Sequence, residues 1–527
     1  MNAPRMKVAA AAAFMTVFIF CGCAYAKYTR EKVNICSRGS PEQVETALKI
    51  GFFEEGEKDS ALMTAAISNP HADVIRLFAA AGADVNAKDN EGKTVLMYAT
   101  SNNTNPKIVS TLVELGARVD ERDNDGSTAL MYAAAYNKNP EVISQLVDCG
   151  ATVDDWDNDG VTPLMYAASE NNDVEVLQTL IEYGAAIGDG SNDGITALML
   201  ASANNRNPDM LKTLINLGSG VDERDNGGRC ALAYAAGNNQ NTDVIKTLIA
   251  LGADVNYKDA AGKTALMYAA SDNEKPQIIS TLIDAGAAVD EKDNNGMSAL
   301  MYAAFKTKNP EVIKTLVNKG AQVNEKDVNG VTVLMYAAAE SSEPEVITTL
   351  LGLGAKIDEK DSNGITVLMY AAAENVNPAI VTTLIKLGAD INAKDNFGAT
   401  ALMHAAAENE NPQVISDLIN FKGKVDDRDN DGATALMHAA AENGNPDIVV
   451  TLLGLGAKLD DRDNNGATVL MYAAADNQVA DIIPVLLEAG ADAKAQDNSG
   501  NKAIDYAEAN ESIKETIAYH DLKSASL

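Results

Sequence analysis

The chain has 527 residues, a formal net charge of −33 and only 5% aromatic residues. An acidic balance of this size repels phosphate backbones and anionic lipid, so nucleic acid is excluded as a partner class and a basic protein is favoured. Five cysteines in so long a chain exclude a disulfide scaffold.

Residues 1 to 26 stand apart from the rest. Arg5 and Lys7 precede an apolar run from Val8 to Phe20, and Ala24-Tyr25-Ala26 closes the stretch before Lys27. A positive head, a short apolar centre and small closing residues predict an export signal, because the run falls short of the roughly 18 residues that a spanning helix needs. Phe20-Cys21-Gly22-Cys23 offers a second ending, lipidation at Cys23, which would be the only membrane attachment. The expected destinations are the periplasm, the outer membrane as a lipoprotein, or the medium. Loss of the two basic residues takes the charge from −33 to −35 and leaves Cys36, Cys149 and Cys230.

Residues 27 to 57 form a linker and a capping half-repeat. Pro41 to Gly51 matches Pro140 to Gly150 in pattern, so a lone helix is predicted there, covering the apolar end of the first full unit.

From residue 58 to 499 the chain repeats itself. Gly92, Gly126, Gly160 and their successors to Gly500 are spaced 34 residues apart without a slip, giving thirteen full units. A fixed period of this size means a solenoid rather than a set of globular domains. Residues 500 to 527 form a truncated fourteenth unit, in which Asp505 takes a place that is Met in twelve others, as a solvated cap requires. Cys149 and Cys230 sit in separate units, out of disulfide reach, so free thiols are expected.

Within one unit the signals keep a fixed order. Thr128 reads as an N-cap whose hydroxyl accepts from a free amide, and the first helix runs from Ala129 to Tyr136. Small Ala133 and Ala134 permit close approach of neighbouring helices. Asn137 is expected to end this helix as a left-handed cap. Asn139 and Pro140 open a second helix, with Val142, Ile143, Leu146 and Val147 as its buried face and Gly150 as its stop. Residues 151 to 160 then read as a short β-hairpin finger. Two units depart: Gly188-Asp189-Gly190-Ser191 predicts a looser finger, and Phe421-Lys422-Gly423 predicts a differently ended second helix.

At this point the chain resembles the ankyrin repeat family. Thr162-Pro163-Leu164 matches that family's Thr-Pro-Leu opening, and Leu251-Gly252-Ala253-Asp254-Val255-Asn256 matches its closing motif. The resemblance implies an all-α solenoid with short β-hairpin fingers, about fourteen units plus caps. A tetratricopeptide array has a similar period but lacks the dozen or so non-helical residues per unit seen here. The family's usual 33-residue period is lengthened by one, in the Asn-x-Asn-Pro loop, and its His after Leu is Met.

No local motif supports catalysis, so the chain is expected not to be an enzyme, with no cofactor and no metal. His404 and His438 fall where other units have Tyr and read as Tyr substitutes. Residues 155 to 160 and 427 to 432 imitate the start of a calcium loop, but position 12 is Tyr166 or His438 where a bidentate Glu is needed. The Met and Tyr ladders read as seam packing.

Function is expected where units differ. In ankyrin proteins the finger tips and the outer part of the first helix bind partner proteins, and the matching places here include Tyr136, Val161, Ile195, Met297, Phe305, Lys306, Val331, Ile365 and Phe397, with Trp156 beside a tip. Glu340, Glu374, Glu408, Glu442 and Asp476 hold one such place in five successive units, an acidic stripe suited to a basic partner. The expectation is a monomeric protein-binding scaffold with an acidic groove. The alternatives are a calcium-dependent surface or adhesion protein and a secreted, host-directed effector using the same groove.

Overall fold

The computed structural model describes residues 29 to 527, so the export signal and Cys23 lie outside the described residues. Each unit is built by local rules. Thr128 is extended at φ −102° and ψ 168° and leads into the helix Ala129–Tyr136. Asn139 then accepts from the Glu141 N–H, Pro140 supplies the pre-set first turn, and the helix Pro140–Asp148 comes next. Gly150 ends it at φ +101°, a conformation costly for a residue with a Cβ.

The finger turns at Gly126, Gly160 and their equivalents. Gly126 has φ +84°, and a Cβ there would stand 2.7 Å from Asn158 Oδ1 of the next finger, so two independent demands exclude a side chain. Among the described residues the fingers hold isolated antiparallel bridges such as Lys88 with Thr94, and no extended strand forms. Each finger is a tight turn met almost at once by a helix cap, which leaves no length for a ladder.

Thirty α-helices occur among the described residues, paired throughout. They belong to two bodies, one of residues up to 269 with 284–287, the other of residues 270–283 with 288–527. In each body first helices stack on first helices and second on second. Leu130, Met131, Ala133 and Ala134 are buried in the first helix, and Val142, Ile143 and Leu146 in the second. Val147, expected in the core, is only half-buried. A single pair leaves an apolar face on either side, so each unit depends on its neighbours for stability.

The N-terminal end differs from expectation. Instead of a lone helix there is a pair, Arg30–Arg38 and Pro41–Lys49, the first capped by Thr29 and burying Cys36. Arg30–Arg38 carries none of the repeated motif, which is why the pattern does not reveal it. At the other end the last unit also completes its pair, Ala503–Ala509 with Ile517–Ser526. Asp505 is exposed and accepts from the Lys502 N–H at 2.7 Å, so it caps its own helix.

The two irregular units are more regular than their sequences imply. The finger at Gly190 keeps its bridge to Thr196, with Ser191 Oγ accepting from the Ile195 N–H at 3.2 Å. The helix Pro412–Asn420 ends in step with its sisters, because Lys422 adopts φ +77° where they have glycine.

Candidate protein-binding surface

The finger is fixed by one carboxylate. Asp123 Oδ1 accepts from the N–H groups of Asp125 at 3.0 Å and Ser127 at 2.8 Å, and Oδ2 accepts from the Tyr132 hydroxyl at 2.7 Å. Asp157 does the same for Asp159, Val161 and Tyr166. The Tyr ladder is therefore a series of latches between first helix and finger, more than seam packing. Burial and the adjacent carboxylate push the Tyr132 and Tyr166 phenols far above their usual range, so both remain donors. His404 and His438 reach Asp395 and Asp429 through Nε2 at 3.0 and 2.9 Å, in the place of Tyr. In the unit where Ser191 replaces the Asp, Leu200 replaces the Tyr, so donor and acceptor are absent together.

These contacts define the calcium-like stretches as turns. Both oxygens of Asp157 accept hydrogen bonds from the protein itself, and Asp429 is likewise engaged by Asp431, Ala433 and His438. Among the described residues no group of three or more His, Cys, Asp or Glu is arranged to hold a metal ion. Cys149 and Cys230 are free thiols.

The loop asparagines do something that local sequence rules miss. Asn137 is extended at φ −76° and ψ 136°, not left-handed. Its Nδ2 donates to Thr100 O at 2.8 Å and Asn103 O at 3.0 Å in the preceding unit, while Oδ1 accepts from the Asn139 N–H. Asn171, Asn205 and Asn239 repeat the arrangement in the first body, and Asn375, Asn409, Asn443 and Asn477 in the second. A buried carboxamide with its donors spent on two carbonyls couples each unit to the last. The lengthened Asn-x-Asn-Pro loop thus makes a run of amide rungs in each body, interrupted where Thr307 and Ser341 take the place of Asn. Its signal lies in the recurrence of Asn, since a helix end alone imposes no such uniformity.

The Met ladder also has a polar role. Met97 and Met131 are buried, and each sulfur accepts from the N–H of the N-cap Thr, at 3.3 and 3.4 Å. Sulfur so occupies the place of Glu or Gln in a capping box. The hydroxyl cap expected of Thr128 is absent, its Oγ1 having no partner, whereas Thr162 Oγ1 accepts from the Met165 N–H at 3.4 Å.

A sequence profile of ankyrin repeats (3 copies) matches the chain in overlapping stretches, from 33–123 through 168–259 and 309–395 to 438–520. The chain belongs to the ankyrin-repeat family. No curated protein matches it in a whole-sequence search. Ankyrin repeats are protein-binding scaffolds, which directs attention to the exposed residues that vary between units.

Those residues divide three ways. Trp156 and Phe397 are 61% and 66% exposed, and Lys306 is exposed with its ammonium 4.5 Å from the Phe305 ring centroid. Tyr136, Met297, Phe305 and Ile365 are half-buried, and Phe305 meets Tyr336 edge-on at 6.2 Å. Val161, Ile195 and Val331 are buried at 7%, 2% and 7% exposure, so they are withdrawn as surface anchors. The residue after the finger glycine gives its N–H to the turn, as Val161 does to Asp157, and its side chain packs inward before the helix starts.

The five acids are all exposed and all in the second body. Glu340, Glu374, Glu408 and Glu442 are the last residues of successive first helices, and Asp476 stands just past the next one. Burial and the like charges of Glu340 and Glu408 push the Glu374 carboxyl above its ordinary value. Glu442 lies 3.6 Å from His438 Nδ1, and that contact holds its carboxyl low.

Proposed function

We propose that this ankyrin-repeat protein is an exported, non-enzymatic scaffold that holds a basic protein along the acidic edge of its second body. One observation carries the reading: an acid stands at the same place in five successive units, although Glu340 and Glu408 repel the Glu374 between them. Repulsion of this kind is retained at a cost to the folded chain and is relieved when a cationic surface covers it. The exposed Phe397 adds an apolar anchor in the same body. Export rests on the pattern of residues 1 to 26, with acylated Cys23 as the form that would keep the scaffold on a membrane. The mechanism needs no covalent step.

A pull-down from an envelope fraction in low and high salt tests the reading. A basic protein captured at low salt and released at high salt is expected, since exposed charge pairs are screened. Capture that is indifferent to salt, or confined to acidic proteins, would contradict it.

A further inference from the structure

Each joint between consecutive helix pairs has room for three side-chain amide latches, from the finger tip, the loop and the cap of the second helix. One joint of the second body shows all of them. Asn396 Nδ2 donates to Ser362 O at 3.2 Å, Asn409 Nδ2 to Ala372 O at 2.9 Å and Asn375 O at 3.0 Å, and Asn411 Nδ2 to Val376 O at 2.8 Å.

The joint between the pair Ala299–Lys306 with Pro310–Asn318 and the pair Val333–Glu340 with Pro344–Gly352 has none. Val328 stands at the tip, Ser341 in the loop and Glu343 at the cap. Ser341 Oγ exchanges hydrogen bonds only with the backbone of Glu343 in its own loop, and Glu343 gives its helix no side-chain cap. The backbone bond across the tips stretches to 3.3 Å at Val328 from 2.9 Å at Asn396. Apolar stacking remains, with the edge-on contact of Phe305 and Tyr336 and with Lys292 Nζ reaching Lys326 O at 2.8 Å. At the finger base the Gln322 N–H donates to Asp290 Oδ1 at 3.0 Å, a contact that ordinary joints also have, as between Lys424 and Asn392, and the exposed Gln322 side chain adds a longer bond from Nε2 to Asp290 Oδ2 at 3.3 Å. The joint before it is weakened in part: Thr307 replaces the loop Asn, but Asn309 still reaches Glu274 O at 2.9 Å.

We infer that this joint is a built-in opening point, where the second body parts before its other joints do. The helices on either side keep their own order, since Thr332 Oγ1 accepts from the Met335 N–H at 3.3 Å and Met335 sulfur from the Thr332 N–H. Apart from the side-chain cap of the helix Pro344–Gly352, what is missing is the set of amide latches between units, so the weakness belongs chiefly to the interface. Cooperative units separate where the fewest interactions bridge them, and a hinge needs rigid parts on both sides. A partner that must bend the stack to fit would bend it here.

Hydrogen exchange measured by mass spectrometry on the intact protein tests this. Amides of residues 299–352 are expected to exchange about 5 to 30 times faster than those of residues 367–420, which flank the fully latched joint. The variant V328N/S341N/E343N is expected to slow them to the level of the latter. The reverse transplant, N396V/N409S/N411E, is expected to create a second fast segment and does not depend on the first variant folding. Equal exchange in the two segments would overturn the inference. So would a fast segment that the restored asparagines leave fast.

Discussion

Asp429 and His438 show how far a residue can be read from its register. The equivalence of His438 to Tyr follows from sequence spacing, and the 2.9 Å contact with Asp429 gives it a physical reason, since both side chains present a donor to the same carboxylate. Burial alone would lower the His438 pKa, but hydrogen bonds to Glu442 and Asp429 outweigh it and raise the value above 6.5. A raised folded value means that the cationic pair contributes stability fully at pH below that of the free imidazole, and that this contribution is lost as pH climbs through the folded value. Histidine NMR should find His438 titrating above 6.5, and urea denaturation should show stability falling as pH rises from about 6 to about 8. His438→Tyr should flatten that slope while keeping the bond to Asp429; an unchanged slope would separate the effect from this residue. Asparagine is the opposite lesson. Asn137 looks like a helix terminator because its neighbours in sequence are helical, yet its partners are in the previous unit, where no local rule reaches.

At the scale of elements, the helix pairs are legible because their caps are local: Asn139 with Pro140 at one end, Gly150 at the other. The exceptions share a reason, which is that packing sets the register and the sequence must comply. Leu418 is buried at 1% exposure like its sisters, and that contact holds the helix Pro412–Asn420 to the common length even though its glycine is displaced. Lys422 consequently bears a left-handed φ of +77°. Lys422→Gly should therefore stabilise the protein by about 0.5 to 1 kcal/mol, measured by urea denaturation. A loss of stability would mean that the lysine side chain makes a contribution larger than the strain. The helix Arg30–Arg38 is hidden for the complementary reason: it fills the first-helix place by shape and burial of Cys36, without the motif.

For the whole molecule, thirteen glycines at one spacing announce the architecture before any side chain is considered. The binding surface is less legible, because Phe397, just before its finger glycine, is exposed, whereas Val161, Ile195 and Val331, just after theirs, turn inward. Position in a repeat says which face of the chain a residue occupies only when the turn geometry before it is known. Charge needs no such knowledge, and the five acids lie exposed as their spacing implies. Because stability in such an array sums over neighbouring units, surface acids can be changed without disturbing the stack. The most direct measurement is thus capture of the basic partner by the variant E340Q/E374Q/E408Q/E442Q beside the parent protein, with thermal unfolding of both recorded. The account predicts capture weakened at least about tenfold, as four charged rim contacts are removed, with unfolding unchanged or slightly improved at a pH above the His438 titration, where its pair with Glu442 no longer contributes. Capture undiminished in a folded variant would contradict it.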